Sequence, residues 1–304
     1  MSKKSVKAGI LSGIVCLWAV MFCSSCAHTQ QRPTTAILGA FDEETIMLEG
    51  QLEDKQEYKI QGVKFVWGRL KGRDVVVGWT GIGKVNAAMT TTLVLERFEP
   101  NEVIFSGIAG SLNPELSAGD IVVATKTIQH DLGILTPSGI ENIGFVNPVT
   151  GKDNPAYFDA DPQLLEAAEQ AAKQVVLEKI KTGSEERDPR IKKGVIVTGD
   201  VFVSSSEKSA ELHDKFGADA VEMEGAATAQ ICYQQNVPCI VIRSISDRSD
   251  EKAMEEMNRF LKTAAKNSAS FVAEMVGCLE VKSAVKVEVK HETAPQAKKV
   301  RRKR

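Results

Sequence analysis

The sequence predicts an α/β fold: a single-domain α/β/α sandwich around a mixed, largely parallel, twisted sheet. Three observations point there. Short apolar runs alternate with helix-length amphipathic stretches over about residues 35–280. A chain of 304 residues, 43% hydrophobic and 26% charged, can bury a sizeable core without disulfides or metals. No internal repeat interrupts the alternation. The same composition excludes a disordered polymer and a multi-span membrane protein. Aromatics at 6% do not favour stacking platforms for single strands, and a net charge of −2 argues against non-specific DNA binding. No specific nucleic-acid partner is expected.

The elements follow in order. Thr35–Gly39 is an apolar run closed by glycine, a strand and its turn. Residues 42–53 place Ile46, Met47, Leu48 and Leu52 near one helical face. Residues 57–61, 63–70 and 73–79 are β-rich, and 84–98 carry a helical pattern from Val85 to Phe98. Val103–Phe105 and Ile121–Val123 read as buried strands, and 161–181 as a helix followed by a charged loop around Ser184–Asp188. Val195–Val197 is a strand, 223–235 a helix, Cys239–Ile242 a strand and 252–278 the last helix.

Both ends lie outside this core. Residues 1–26 join a basic start (Lys3, Lys4, Lys7) to an apolar run, Gly9–Phe22, and then to Ser24, Ser25 and Cys26. That is the three-part pattern of an export signal. The run is short for a helix of about 20 residues that spans a bilayer. The Cys23–Cys26 pair has CxxC spacing but no partner pair. The segment resembles a bacterial lipoprotein leader, which implies acylation of Cys26, membrane anchoring through that lipid and a periplasmic or surface location. A plain cleaved signal and an uncleaved anchor stay open. Residues 27–34 form a polar tether. Residues 281–304 lose helical periodicity and close on a basic run, a solvated tail or a contact for anionic lipid or nucleic acid. Cys232, Cys239 and Cys278 sit in apolar contexts and read as buried thiols.

Ligands of such sheets bind at the carboxyl ends of strands. Asp42, Glu43 and Glu44 follow the first strand; a helix start accounts for one or two of them, and a third can project into a cleft. Gly78–Lys84 nearly spells a P-loop, but Val85 stands where Ser or Thr would hold magnesium. A glycine-rich turn presenting amides to a ligand is left. Ser106–Ser111 are small enough for close approach to a flat ligand, or for a tight turn. Phe202 follows Thr198-Gly199-Asp200-Val201 and is either a core residue or a stacking platform. Glu222 and Glu224 flank Met223 at an apolar junction, where a carboxylate is costly unless something binds it. Asp247 lies just past the strand that carries Arg243, as a ligand group or a helix cap.

The segments ILGAFDEE, GIGKVNAA, SGIAGSL, AGDIVVATKTIQHD, TGDVFVSS, ADAVEMEGAA and VIRSISD occur in this order. Over about residues 35–278 the chain resembles the 5'-methylthioadenosine/S-adenosylhomocysteine nucleosidases of the purine nucleoside phosphorylase superfamily. The resemblance implies a nucleoside phosphorylase-like fold and hydrolysis of 5'-substituted adenosines to adenine and a thio-ribose. It implies that Asp247 protonates adenine at N7, Glu44 activates water, and Glu224 binds the ribose 2'- and 3'-hydroxyls. Met223 would pack under the ribose and Phe202 stack on adenine, with Val203 backbone atoms reading the base edge. Arg243 would lie near the water, and Ser246 would support the purine-side loop. Ile108, Ala109 and Gly110 would line the water site, with Ile108 where many members carry serine; isoleucine cannot hydrogen-bond that water. No metal or organic cofactor is needed. A homodimer is implied, with the longer 132–160 stretch where the family shapes the 5'-substituent pocket, often with a second subunit. Two other functions compete: a phosphorylase of the same fold, and a surface-exposed binding or adhesion protein.

Overall fold

The computed structural model describes residues 34–182 and 184–280. The first half reads β1 (Thr34–Gly39), α1 (Asp42–Gln51), β2 (Glu53–Ile60), β3 (Val63–Leu70), β4 (Arg73–Trp79), α2 (Lys84–Phe98), β5 (Glu102–Ser111) and β6 (Ile121–Gln129). The short strands β7 (Ile134–Thr136), β8 (Gly139–Glu141) and β9 (Tyr157–Asp159) follow, then α3 (Pro162–Ala172), β10 (Ile180–Thr182) and β11 (Glu185–Arg187). The chain continues through β12 (Ile191–Thr198), α4 (Ser206–Phe216), β13 (Ala218–Glu222), α5 (Gly225–Gln235), β14 (Cys239–Asp247) and α6 (Ala253–Cys278). The proposed leader, Cys26 and the basic tail lie outside the described residues. Thr34, expected in the tether, already pairs in β1.

The central strands are buried on both faces, as their continuous apolar runs require. Ile37, Val75, Val77, Ile104, Ile240 and Ile242 face a core built with α1, α3 and α6. The alternate residues Ala36, Leu38, Val76, Val103, Phe105 and Val241 face α2 and α5. This is the three-layer arrangement of the sequence reading. The sheet runs β13-β12-β6-β14-β5-β1-β4-β3-β2. Pairings of β1 with β4 and β5, and of β14 with β5, are parallel, while β2, β3 and β4 form antiparallel hairpins. The outer strand β2 is solvent-exposed and charged, which discourages edge-to-edge association. At the other end β13 pairs with β12 and also with β5, so five strands close into a ring.

Several elements differ from expectation. Ser106–Ser111 is no turn: β5 runs through it, because Ser106–Gly110 pair with β14 and Gly110–Ser111 with β13. The helix expected over 161–181 starts where Asp161 caps the Gln163 and Leu164 amides ahead of Pro162, but it ends at Ala172. Beyond it, tertiary bonds take over. The Glu178 amide donates to Asn267 on α6, Ile180 and Arg187 lie in the β10–β11 hairpin, and Arg187 pairs with buried Asp120. Helix α4, absent from the reading, lies between a Ser205 cap and Gly217 in the left-handed region. Helix α5 starts at Gly225 rather than 223, because β13 and its Glu222 side chain hold the preceding residues.

Candidate active site

The floor of the site is the Gly107–Gly110 stretch of β5, and its two glycines explain its position. A Cβ on Gly107 would fall 2.0 Å from Arg243 Nη1 and 2.7 Å from Glu44 Oε1. A Cβ on Gly110 would fall 2.1 Å from Ser249 Oγ and 2.8 Å from Asp247 Oδ1. Side chains from α1, β14 and the loop after β14 therefore lie directly on this strand. Three strand residues at about 3.3 Å each separate the Glu44 end from the Asp247 end by roughly 10 Å.

At the first end Glu44, in the opening turn of α1, is buried. Its Oε2 accepts the Ala40 and Phe41 amides at 2.5 and 3.0 Å, and its Oε1 the Ile108 amide at 2.9 Å. Burial raises its pKa, while the Arg243 guanidinium and these amides pull the other way. Arg243 on β14 is fully buried, with its guanidinium carbon 4.6 Å from the centre of the Phe105 ring. It donates through Nη2 to Glu222, and to Glu224 Oε2 at 3.4 Å. Glu224 caps α5, and its Oε1 accepts the Gly83 amide at 2.8 Å. Burial, beside Glu44 and Glu222, pushes the Glu224 carboxyl up to about 8.

Glu222 is a functional support that the sequence reading left out of the site. It gathers the Thr198 hydroxyl, the Glu224 and Gly225 amides and the Arg243 guanidinium. It thus fixes the junction from which Glu224 projects. Alternation was its signal: as the last residue of β13, Glu222 is buried, and a buried acid needs partners.

At the other end Asp247 is the last residue of β14, not a residue beyond it. It is buried, and its Oδ1 accepts the Ser249 amide at 2.9 Å. The Ser246 hydroxyl lies 2.7 Å from Oδ2 and 3.2 Å from the Ala109 carbonyl. Burial raises the Asp247 pKa, and the Ser246 and Ser249 donors lower it only in part. No ion-pair partner of Asp247 occurs among the described residues. Phe202 is half-exposed on the segment after β12, with Val203 buried beside Val197, Leu212 and Val221. Met223 is half-buried between Glu222 and Glu224. Ile108 gives its amide to Glu44 and packs its side chain with Phe41, Met257, Leu261, Ala264 and Ala265. Among the described residues no group of three or more His, Cys, Asp or Glu side chains is arranged to hold a metal.

The model of the phosphorylase superfamily matches residues 34–277. A 5'-methylthioadenosine/S-adenosylhomocysteine nucleosidase of Geobacillus sp. (strain WCH70) is 39% identical over 246 residues, 81% of this chain and 98% of that protein. The chain belongs to this nucleosidase family. A family structure from Neisseria meningitidis, solved with methylthio-immucillin-A, is 38% identical with a TM-score of 0.69, covering 81% of this chain and 99% of its own. Futalosine hydrolase of Helicobacter pylori is also similar, at 34% identity and a TM-score of 0.69, covering 81% of this chain and 97% of its own.

Proposed function

We propose that this nucleosidase-family chain hydrolyses the N-glycosidic bond of 5'-substituted adenosines, methylthioadenosine and S-adenosylhomocysteine, to adenine and a thio-ribose. The observation that carries the reading is that two buried carboxyls, Glu44 and Asp247, lie on one short strand, and a third, Glu224, is joined to the Glu44 end through Arg243. Bond cleavage needs a proton for the leaving purine, a base for water and a hold on the sugar as positive charge develops. Asp247, buried among neutral donors, carries a proton to the purine. Glu44, oriented by three amides, takes one from water. Glu224 receives the ribose hydroxyls and stabilises the charge beside them. Phe202 stacks on the base, and Met223 packs under the sugar.

A phosphorylase would need cations free for phosphate. Lys84, in the glycine-rich turn, is paired with Asp131 at 2.6 Å, and Arg243 is paired with Glu222. Glu44 would repel an anion at the attacking position. The deciding experiment is chromatography of products from methylthioadenosine, adenosylhomocysteine, adenosine, inosine and futalosine, each with and without phosphate. Adenine released without phosphate supports hydrolysis. Unchanged methylthioadenosine and adenosylhomocysteine, or ribose 1-phosphate as product, would overturn it.

The chain is also proposed to act as a homodimer and as an exported lipoprotein acylated on Cys26. Exposed Leu135, Val146 and Val149, and a cavity of about 350 Å³ lined by Leu132, Phe145, Val146 and Phe158, support an apolar subunit contact. The leader pattern supports export. Light scattering showing a monomer at micromolar concentration would count against the dimer. A soluble wild-type protein still beginning at Met1 would defeat the export reading.

A further inference from the structure

The GIGK turn is no nucleotide loop, yet its lysine is elaborately held. Lys84 Nζ lies 2.6 Å from Asp131 Oδ1, after β6, and 3.9 Å from Asp200 Oδ2, after β12. The Lys84 amide donates to Asp200 Oδ1 at 2.8 Å, and the Asp200 amide donates to Asp131 Oδ2 at 2.9 Å. Burial alone would raise the Asp131 carboxyl, but the Lys84 ammonium and the Asp200 amide hold it below its ordinary value. The His130 amide bonds the Thr198 carbonyl, and the His130 ring lies where a Cβ on Gly199 would be. Three loops from three strands are thus closed into one ring of bonds.

Two neighbouring amides of this turn hold two different acids. Gly83 donates to Glu224, the sugar acid, and Lys84 donates to Asp200, two residues before the stacking Phe202. Gly83 is required: its φ is +96°, and a Cβ there would meet Asp200 Oδ1 at 3.2 Å.

We infer that Lys84 is a positioning residue that, by gripping Asp131 and Asp200 together, sets the spacing between the purine-stacking Phe202 and the sugar-binding Glu224. The inference rests on the nucleosidase reading for what the two groups hold. Lys84 touches no reacting atom in this scheme; it fixes where the base lies relative to the ribose.

The test uses the full chain with Lys84→Met and Lys84→Arg, and with Asp131→Asn as a milder variant should Lys84→Met not fold. Hydrogen exchange reads the latch directly. Amides of 199–203 lose protection in Lys84→Met and Asp131→Asn but keep it in Lys84→Arg, while the rest of β12 is unchanged. In adenine release, kcat/KM for methylthioadenosine falls about tenfold in Lys84→Met, the scale of one coupling within a shared network. Lys84→Arg restores most of it. In a Phe202→Ala background the same substitution has little further effect. Unaltered protection at 199–203, or an effect fully additive with Phe202→Ala, overturns the inference. If the wild-type chain releases no adenine, the functional reading fails, and the exchange result alone decides the latch.

Discussion

The two ends of the site meet the burial of acids in opposite ways. At the sugar end three carboxyls, Glu44, Glu222 and Glu224, surround one buried guanidinium. At the purine end Asp247 is just as buried, but its partners are a hydroxyl and an amide, both neutral. Arg243 pulls the Glu44 and Glu224 carboxyls down and burial outweighs it, so Glu224 is still pushed up to about 8; at Asp247 only neutral donors oppose burial. The site thus opposes burial with a cation at the sugar end and with neutral donors alone at the purine end.

Removing the acids should break this contrast most strongly. Asp247→Asn and Glu44→Gln should each lower kcat by on the order of 10²-fold or more, the scale of general acid–base help, with unchanged circular dichroism. A nearly normal Asp247→Asn enzyme would end the proposed role of the purine-side acid. The next effect is on stability. Arg243→Met leaves buried carboxyls without their cation and should cost about 3–5 kcal/mol in denaturant unfolding. A matching loss in Ser246→Ala would show that the ends do not differ.

The pH dependence sharpens the comparison. The Glu224 carboxyl is raised from 4.5 to about 8 in the folded chain. Between those values the folded state keeps a proton that the unfolded chain has released. That stability is fully present below about pH 4.5 and is lost as pH rises through about 8. The melting temperature of the wild type minus that of Glu224→Gln should therefore fall between pH 5 and pH 8. A difference that rises over this range would reverse the assignment. The smallest effect belongs to Ile108→Ser. It leaves the amide bond to Glu44 in place and replaces an apolar side chain of the cluster with Phe41, Met257 and Leu261 by a hydroxyl. A change of less than about tenfold in kcat/KM is expected.

How much was legible follows from what alternation reveals. Val75–Val77, Val103–Phe105 and Cys239–Ile242 read as strands because both faces of the sheet are covered, so their apolar runs are unbroken. Glu224 was legible because a carboxylate at an apolar junction demands partners, whereas Glu44 and Asp247 read equally as helix caps and, with Arg243, were singled out by the family resemblance. The extent of β5 was not legible beyond Phe105, since Ser106–Ser111 were left open between a close approach and a tight turn. Small residues suggest a turn, but here they make room for Arg243, Glu44, Asp247 and Ser249 within a strand. The β10–β11 hairpin and the contact of Arg187 with Asp120 were hidden, since nothing local in 173–190 announces a partner elsewhere in the chain. The Lys84 ring was equally silent, because it joins positions 84, 131 and 200.

The five-strand ring has a kinetic consequence. Closing it requires β5 to meet β13, and β14 to enter between β5 and β6, all across long stretches of chain. Such pairings carry a high loop-closure cost and form slowly. Asp247 and the Arg243 guanidinium reach the site only when β14 has been inserted, and Glu44, on α1, meets its cation at that step. Refolding should therefore restore helical signal before catalytic competence, and the lag between the two measures how long the chain waits for the nine-residue β14 to close the ring.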